Sequence, residues 1–534
     1  MVNQPFAMKT FIVSTFILLL GLSTSAQSVG LDVNFGNNGI AIADFENFAE
    51  NASFLGQQTD GKLMVGGRYD IPFFGGTDTF MLARLYENGT LDTTYGTAGL
   101  ANFRVVGWPE GMAVQEDNKT IIVGGYNATD NNFRAIRLDE EGNLDSSFGN
   151  NGTVSLHFGN HLAICEGILL LPDGKILLVG RFYEDSNNYW PMLVRLLTDG
   201  SPDTDFGDNG VVYYQEAPFT RSWINDAQIQ PDGKILLAGS REAFSSGPRG
   251  WTMWRFLPDG TIDTTYGQEG AVSMVMGTQN GYDEKISQIA IQADGAVVVN
   301  GYFPTDLGYR AILTRYHQDG TLDLDFGEEG ILVSSFPDVA VHRLGHIIIQ
   351  PDQKILIAGS GSLEGDETAG TGNLQFTRFL PDGTPDPDFD DNGLYTAVAV
   401  DFTYSTSTMI LVEEDRAVVV GRAYPIGDNL RSKIFAARLY YGPEIVAVSA
   451  PTTKEAWLLA PNPCQDVLRI SAVKTTAPPI VRLRLFNSMG QLALTASGQY
   501  LSEVSIGHLS AGSYWLEMTD KQGGIFWEKI VKMN

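Results

Sequence analysis

Between residues 31 and 441, short apolar runs alternate with polar, glycine-rich turns, and the alternation is itself periodic. In the first full unit, Ala52 to Gln58 reads as a strand, Thr59-Asp60-Gly61-Lys62 as a tight turn and Lys62 to Tyr69 as a second strand. Asp-Gly is what a two-residue hairpin turn asks for, because its backbone needs positive φ. Thr79 to Tyr86 is a third strand, and Glu87-Asn88-Gly89 with the Leu91-Asp92 turn leads to a fourth near Leu100 to Val105. Second strands such as Ile176-Leu177-Leu178-Val179-Gly180 are apolar almost throughout, which predicts burial on both faces of a sheet.

Three signatures recur along this stretch. The first turn returns at Asp117, Asp173, Asp232, Asp294, Asp352 and Asp415. Third strands end on Arg84, Arg137, Arg195, Arg255, Arg315, Arg378 and Arg438. A turn of the type Leu31-Asp32-Val33-Asn34-Phe35-Gly36 comes back with Asp92, Asp145, Asp203, Asp263, Asp323 and Asp386, at spacings of 60, 53, 58, 60, 60 and 63. A period near 60 with strand-like content defines a repeat architecture. Four-stranded sheets that bury both faces close radially, so the expected fold is all-β: a seven-bladed β-propeller over 27–441. The array opens with a lone fourth strand, Gly39 to Phe45, and stops after a third strand, Lys433 to Tyr440. The N-terminal strand is therefore expected to complete the last blade and leave no open seam. The once-per-unit Arg and Asp read as structural, the Asp accepting turn N–H groups and the Arg pairing with it.

These motifs resemble the delta-60 repeat β-propellers of exported bacterial proteins, a likeness that implies a fold and brings no common catalytic residues. After residues 442–456, which read as a linker, the period is lost and short alternating strands follow, the pattern of a small β-sandwich over 457–534. Pro461-Asn462-Pro463, Leu468-Arg469-Ile470, Leu485 to Gln491, Leu509 to Leu516 and Lys529 to Lys532 resemble the type A C-terminal sorting domain of the type IX secretion system of Bacteroidota. That resemblance implies the secretion machinery as a partner, and a protein either released or held at the outer surface.

Composition adds a route and some exclusions. Met1 to Ala26 has Lys9, an apolar core from Phe11 to Leu22 and small residues at Thr24-Ser25-Ala26, and reads as a signal peptide. No later stretch is long and apolar enough to span a bilayer. The net charge of −28 disfavours nucleic acid and anionic membrane as partners. Residues 454–534 hold 8 basic and 6 acidic residues, +2, so residues 1–453 carry −30. Two distant cysteines, Cys165 and Cys464, exclude a disulfide scaffold.

Candidate chemistry is sparse. Second-to-third and fourth-to-first connections share one end of the repeats and vary in length and content, and variable loops on a rigid scaffold are where binding usually resides. Trp108, Tyr189, Trp190, Phe219, Trp223, Trp251, Tyr282, Phe303 and Tyr309 fall there. Two readings stand: they stack on glycans or anchor a surface protein, or they pack the loops together. The pairs His157/His161 and His342/His346 lie on strands and loops without a carboxylate motif, so no zinc site is called for. Asp203, Asp205 and Asp208, and Asp386, Asp388, Asp390, Asp391 and Asn392, offer oxygens of the kind calcium takes, without the twelve-residue loop; calcium is the one cofactor considered. No nucleophile elbow or phosphate loop occurs, and no catalytic residue is assigned. The function expected is a non-catalytic glycan- or protein-binding module. The alternative is a polysaccharide-acting enzyme with its site at the central channel, marked by converging polar groups in a deep pocket rather than a shallow aromatic patch.

Overall fold

The computed structural model describes residues 29–43, 49–70, 79–103, 108–127, 130–216, 219–242, 250–274, 285–305, 308–333, 339–363, 372–390, 393–397, 401–426, 432–441, 457–460, 467–472, 479–487, 492–498, 501–507, 509, 512–521 and 525–532. Residues 1–28, with the expected signal peptide, and residues 442–456 lie outside these. The chain falls into two compact units, 1–443 and 444–534. Every element among the described residues is a strand.

In the first unit each repeat forms an antiparallel sheet in chain order. The first repeat runs Ala49–Gln57, Leu63–Asp70, Thr79–Leu85 and Leu100–Phe103. The first strands of the later repeats are Trp108–Val114, Leu162–Leu170, Arg221–Ile229, Lys285–Ile291, Val339–Ile349 and Phe402–Glu413. The third and fourth repeats join into one eight-stranded sheet through a parallel bridge between Tyr189 and Arg221. The seventh repeat contributes Phe402–Glu413, Arg416–Pro425 and Lys433–Tyr440. Ile40–Ala43 pairs antiparallel with Lys433–Tyr440, Ile40 opposite Ala437, and Gly30–Leu31 adds beside it.

One clasp recurs at the Asp turns. Each third-strand Arg donates Nε–H to the Asp carboxylate eight residues on, at 2.6 to 2.8 Å for the six pairs from Arg84–Asp92 to Arg378–Asp386. Arg438 finds the same partner in Asp32, at 3.1 Å. Its other arm reaches the following repeat: Arg84 Nη1 donates to Glu140 O at 2.6 Å, Arg137 to Thr198 O at 2.6 Å, Arg195 to Pro258 O at 2.5 Å, and Arg438 to Glu87 O at 2.6 Å. The guanidinium lies over the turn's aromatic ring, 4.3 to 4.9 Å from the centroids of Tyr95, Phe148, Phe206, Tyr266, Phe326, Phe389 and Phe35. The second carboxylate oxygen accepts the N–H two residues on, as Asp145 does from Ser147 at 3.0 Å. The Lys of the first turn closes the charge: Lys175 lies 3.0 Å from Asp203 and Lys354 3.1 Å from Asp386. The fifth repeat has Ala296 at the equivalent place.

The aromatic rings also meet the next repeat. Gly200 has φ +86, and a Cβ there would come within 2.8 Å of the Phe148 ring, so only glycine lets the turn rest on it. Gly142 on Tyr95 and Gly260 on Phe206 repeat the contact.

In the second unit, Trp457–Ala460, Val467–Ala472 and Glu503–Ser505 form one sheet, and Leu492–Ser497, Ile480–Asn487, Gly512–Asp520 and Ile525–Lys532 another. Leu468, Ile470 and Val504 from the first share a core with Leu483, Leu485, Leu516 and Ile530 from the second. Trp457–Ala460 is a strand that the sequence pattern did not pick out, because its four residues precede a Pro-rich break.

The clasp sets an acid limit. Burial alone would raise the Asp92 and Asp263 carboxyls. Turn hydrogen bonds and the neighbouring arginines outweigh it and hold both at about 2. Because these carboxyls sit below their unfolded values, their stabilisation is complete above about pH 4 and fades as pH falls toward 2. Denaturant unfolding followed by circular dichroism should therefore show the clasp's contribution to stability falling between about pH 4 and 2. Asp32→Ala leaves Arg438 and Arg416 without their shared carboxylate and should cost about 3–5 kcal/mol in denaturant unfolding.

Candidate functional site

The first strands of all seven repeats carry the same defect. Whatever other register shifts a pair carries, all seven break pairing with the second strand at one equivalent place, where one first-strand residue, or two in the sixth repeat, is left over: between Ala52 and Phe54, Pro109 and Gly111, Cys165 and Gly167, Ile224 and Asp226, Ile286 and Gln288, Leu344 and Ile347, and Thr406 and Thr408. These are β-bulges, which re-aim side chains away from the pleat. The opposite strand supplies glycine because the bulge pushes a carbonyl into the space of a side chain. A Cβ on Gly180 would lie 2.0 Å from Ile164 O, and one on Gly239 1.8 Å from Trp223 O.

The residues at the bulges line one cavity of about 540 Å³. Ser53, Glu110, Glu166, Asn225, Ser287 and Ser407 occupy the extra positions of six repeats, and Gly345 with His346 the place in the sixth. Phe54, Met112 and Ile168 give the first three repeats an apolar wall.

Several of these groups are committed to neighbouring repeats. Asp226 Oδ2 accepts the N–H of Ile289 at 2.8 Å, and Oδ1 that of Ala227 at 2.8 Å. Gln288 Oε1 accepts the N–H of Ile347 at 2.7 Å, which turns its amide nitrogen to His346 Nε2 at 2.6 Å. Since that nitrogen must then accept, the neutral imidazole carries its proton on Nδ1. Burial holds His346 down at about 4, so it is neutral near pH 7. Glu166 Oε1 lies 2.5 Å from Arg181 Nη2. Burial nevertheless raises the Glu166 carboxyl to about 7 against the pull of Arg181, with the Glu110 charge adding to the rise. Burial likewise raises Asp226 to about 7 against its backbone hydrogen bonds. Two carboxyls poised near neutrality in one cavity is the pattern functional sites favour.

The aromatic residues expected on the variable loops are placed differently. Tyr189 and Trp190 begin a third strand and are 7% and 6% exposed; Trp251, in Gly250–Phe256, is 2% exposed and packs with Ile286 and Ile289. They offer no open face, because strands extend further toward that end than the turn residues suggest and turn these rings between sheets. Trp223 is half-buried and meets Tyr189 edge-on at 5.2 Å. Phe219 lies under the Arg241 guanidinium at 3.8 Å. Trp108, Phe303 and Tyr309 are strand residues whose side chains lie outside the described set, as does Tyr282 altogether. The acidic turns are used internally: Asp203 by Arg195, Lys175 and the N–H of Asp205, and Asp386 by Arg378, Lys354 and the N–H of Asp388. Asp391 and Asn392 lie outside the described residues.

The bulge residues escaped the reading of the sequence, yet they left a signal. At one phase of six of the repeats a polar or glycine-containing pair interrupts an apolar strand: Glu110-Gly111, Glu166-Gly167, Asn225-Asp226, Ser287-Gln288, Gly345-His346, Ser407-Thr408. Aligning the repeats on their Asp turns would have exposed it.

The clasps, sheets and bulges define a repeat protein of propeller type, and comparison with protein families agrees. The family described as a domain of unknown function (DUF5122) beta-propeller matches residues 58–95, 115–148, 171–206, 230–266, 292–326 and 350–389, each match ending on the aromatic of an Asp turn. A second family, the secretion system C-terminal sorting domain, matches residues 459–533. The chain carries DUF5122 beta-propeller repeats followed by a type IX sorting domain, and is a secreted or outer-surface attached protein. No curated protein matches it. Among solved structures it is similar to a protein of unknown function from Dyadobacter fermentans DSM 18053 (10% identity, 76% of this chain and 99% of that one, TM-score 0.41). It is also similar to the PQQ-bound aldose sugar dehydrogenase of Streptomyces coelicolor (12%, 62% and 95%, TM-score 0.35). A third is the alpha-L-arabinofuranosidase Arb93A of Fusarium graminearum (8%, 62% and 92%, TM-score 0.38).

The burial difference among the tryptophans is measurable. Trp251→Ala should destabilise the protein by about 3–5 kcal/mol in denaturant titration, whereas Trp223→Ala should cost less than half of that.

Proposed function

We propose that this exported protein is a closed seven-bladed β-propeller that takes a carbohydrate into the cavity formed by its bulges. Closure is supported by the pairing of Ile40–Ala43 with Lys433–Tyr440 and by the bonds of Arg438 to Asp32 and to Glu87 O. The observation that carries the ligand reading is the bulge ring itself. Every repeat departs from regular pairing at the same place, and the departures line one cavity. Bulges recur beside functional sites, and a scaffold needing only stability gains little from seven of them.

The lining suits sugars. Hydroxyls and amides of Ser53, Asn225, Ser287, Gln288 and Ser407 match a hydroxyl edge, while Phe54, Met112 and Ile168 match the C–H face of a pyranose. A volume of about 540 Å³ lies within the usual range for small-molecule sites. The same pocket also supports a second reading, an enzyme acting on polysaccharide, because carboxyls near 7 suit proton transfer at neutral pH.

The test is a glycan array probed with the full chain, beside an Asn225→Ala, Ser287→Ala double variant. Specific binding that falls at least about tenfold in the variant, with unchanged melting temperature, supports the pocket. Binding that survives the double variant, or an array with no bound glycan, refutes it. Release of shorter products from a bound glycan would favour the enzymatic reading.

A further inference from the structure

Neighbouring repeats are tied together along the cavity wall by side chains, and two of these ties form a natural comparison. Between the fifth and sixth repeats, Gln288 Oε1 accepts the N–H of Ile347 at 2.7 Å. Between the fourth and fifth, Asp226 Oδ2 accepts the N–H of Ile289 at 2.8 Å. Both side chains stand immediately after the bulge of their own first strand, and both line the cavity. The ties are alike in geometry and differ in chemistry. An amide stays neutral through the range in which a carboxyl titrates.

No cation answers Asp226. The elements packed against its strand, Arg221–Ile229, bring Glu166, Arg181 and Arg195 from the third repeat, Arg241 and Glu242 from Ile235–Glu242, and Lys285 from the fifth repeat. Arg181 is held by Glu166 at 2.5 Å, Arg195 by Asp203 at 2.6 Å and Arg241 by Glu216, while Glu242 lies 3.9 Å from Arg221. The Lys285 side chain lies outside the described residues. Among the described residues Asp226 is met by the N–H groups of Ile289 and Ala227 and by the Gln228 side chain, and by no Lys, Arg or His. Glu166 differs, because Arg181 shares its charge.

We propose that Asp226 is a proton-operated latch in the cavity wall: protonated, it holds the fourth repeat against the fifth, and ionised, it lets that seam open locally. Burial without a cation favours the neutral carboxyl and raises Asp226 to about 7 against its hydrogen bonds. Because this value lies above the ordinary one, the stabilisation is complete below about pH 4 and is lost progressively as pH rises to about 7. The sign is opposite to that of the Asp92 clasp, which fails in acid. An ionised Asp226 gains hydration only by parting the seam, a local opening that need not unfold the repeats. The strands it joins carry Asn225 and Ser287, so the latch sets how firmly the polar edge of the cavity is held. His346 at the next seam, held down at about 4 by burial, stays neutral where Asp226 titrates.

The test is hydrogen exchange of the full chain, read by mass spectrometry at about pH 5.5 and 7.5 and corrected for the intrinsic amide rate. Protection at Ile289 should fall at least about tenfold between the two, while Ile347, tied by Gln288, stays within about twofold. Asp226→Asn keeps an acceptor for Ile289 and should abolish the response. Unchanged protection at Ile289, an equal fall at Ile347, or an undiminished response in Asp226→Asn overturns the latch. Should the variant fail to fold, the wild-type comparison of the two amides decides alone. The latch needs no bound glycan, so it stands or falls separately from the carbohydrate pocket.

Discussion

The architecture of the first unit depends on one guanidinium per repeat. Its Nε–H holds the Asp of its own turn, its Nη1 holds a carbonyl of the next repeat, and its face covers an aromatic ring on which that next repeat's glycine sits. Lysine could not replace it, because only a planar fork reaches two acceptors while stacking. The charge is buried, yet each arm has a partner and the Asp has several. A buried pair costs desolvation, and this one is retained where it orders the seam between neighbours.

The bulges belong to the same construction. The clasps fix repeat against repeat at the outer turns, so the inner strands can afford irregular pairing where they converge. Glycine in the second strand makes room for each bulge, and Asp226 and Gln288 accept N–H groups of the adjoining repeat, those of Ile289 and Ile347. What results is a cavity whose side chains vary on a backbone that does not. Ser, Glu, Asn and His stand at one structural position, and ligand chemistry is set by substitution there alone.

Much of this was legible in the residues. The Asp turn, the third-strand Arg and the Asp-Gly turn each reflect a local rule of backbone geometry, so their recurrence revealed the sheets, the strand order and the Arg–Asp pairs. The burial of Tyr189, Trp190 and Trp251 was not legible, because hydrophobic pattern does not tell an exposed ring at a strand end from one turned between sheets: Trp251 and Trp223 sit in similar surroundings in sequence and differ in burial. Glu166 and Asn225 were overlooked for a different reason. A bulge has no signature of its own in a single strand; it emerges only when repeats are superposed and the same phase turns polar each time.

The clasp between Arg438 and Asp32 joins residues 406 apart in the chain, whereas the link from Arg137 to Thr198 O spans 61. By loop-closure scaling, joining the longer span costs about 1.7 kcal/mol more chain entropy than the shorter. Neighbouring repeats therefore gain their contacts cheaply and first, and the ends meet once the intervening sheets have brought them together. Asp32 thus turns an ion pair that is local six times over into one that ties the two ends of the repeat array together, alongside the pairing of Gly30 with Tyr440.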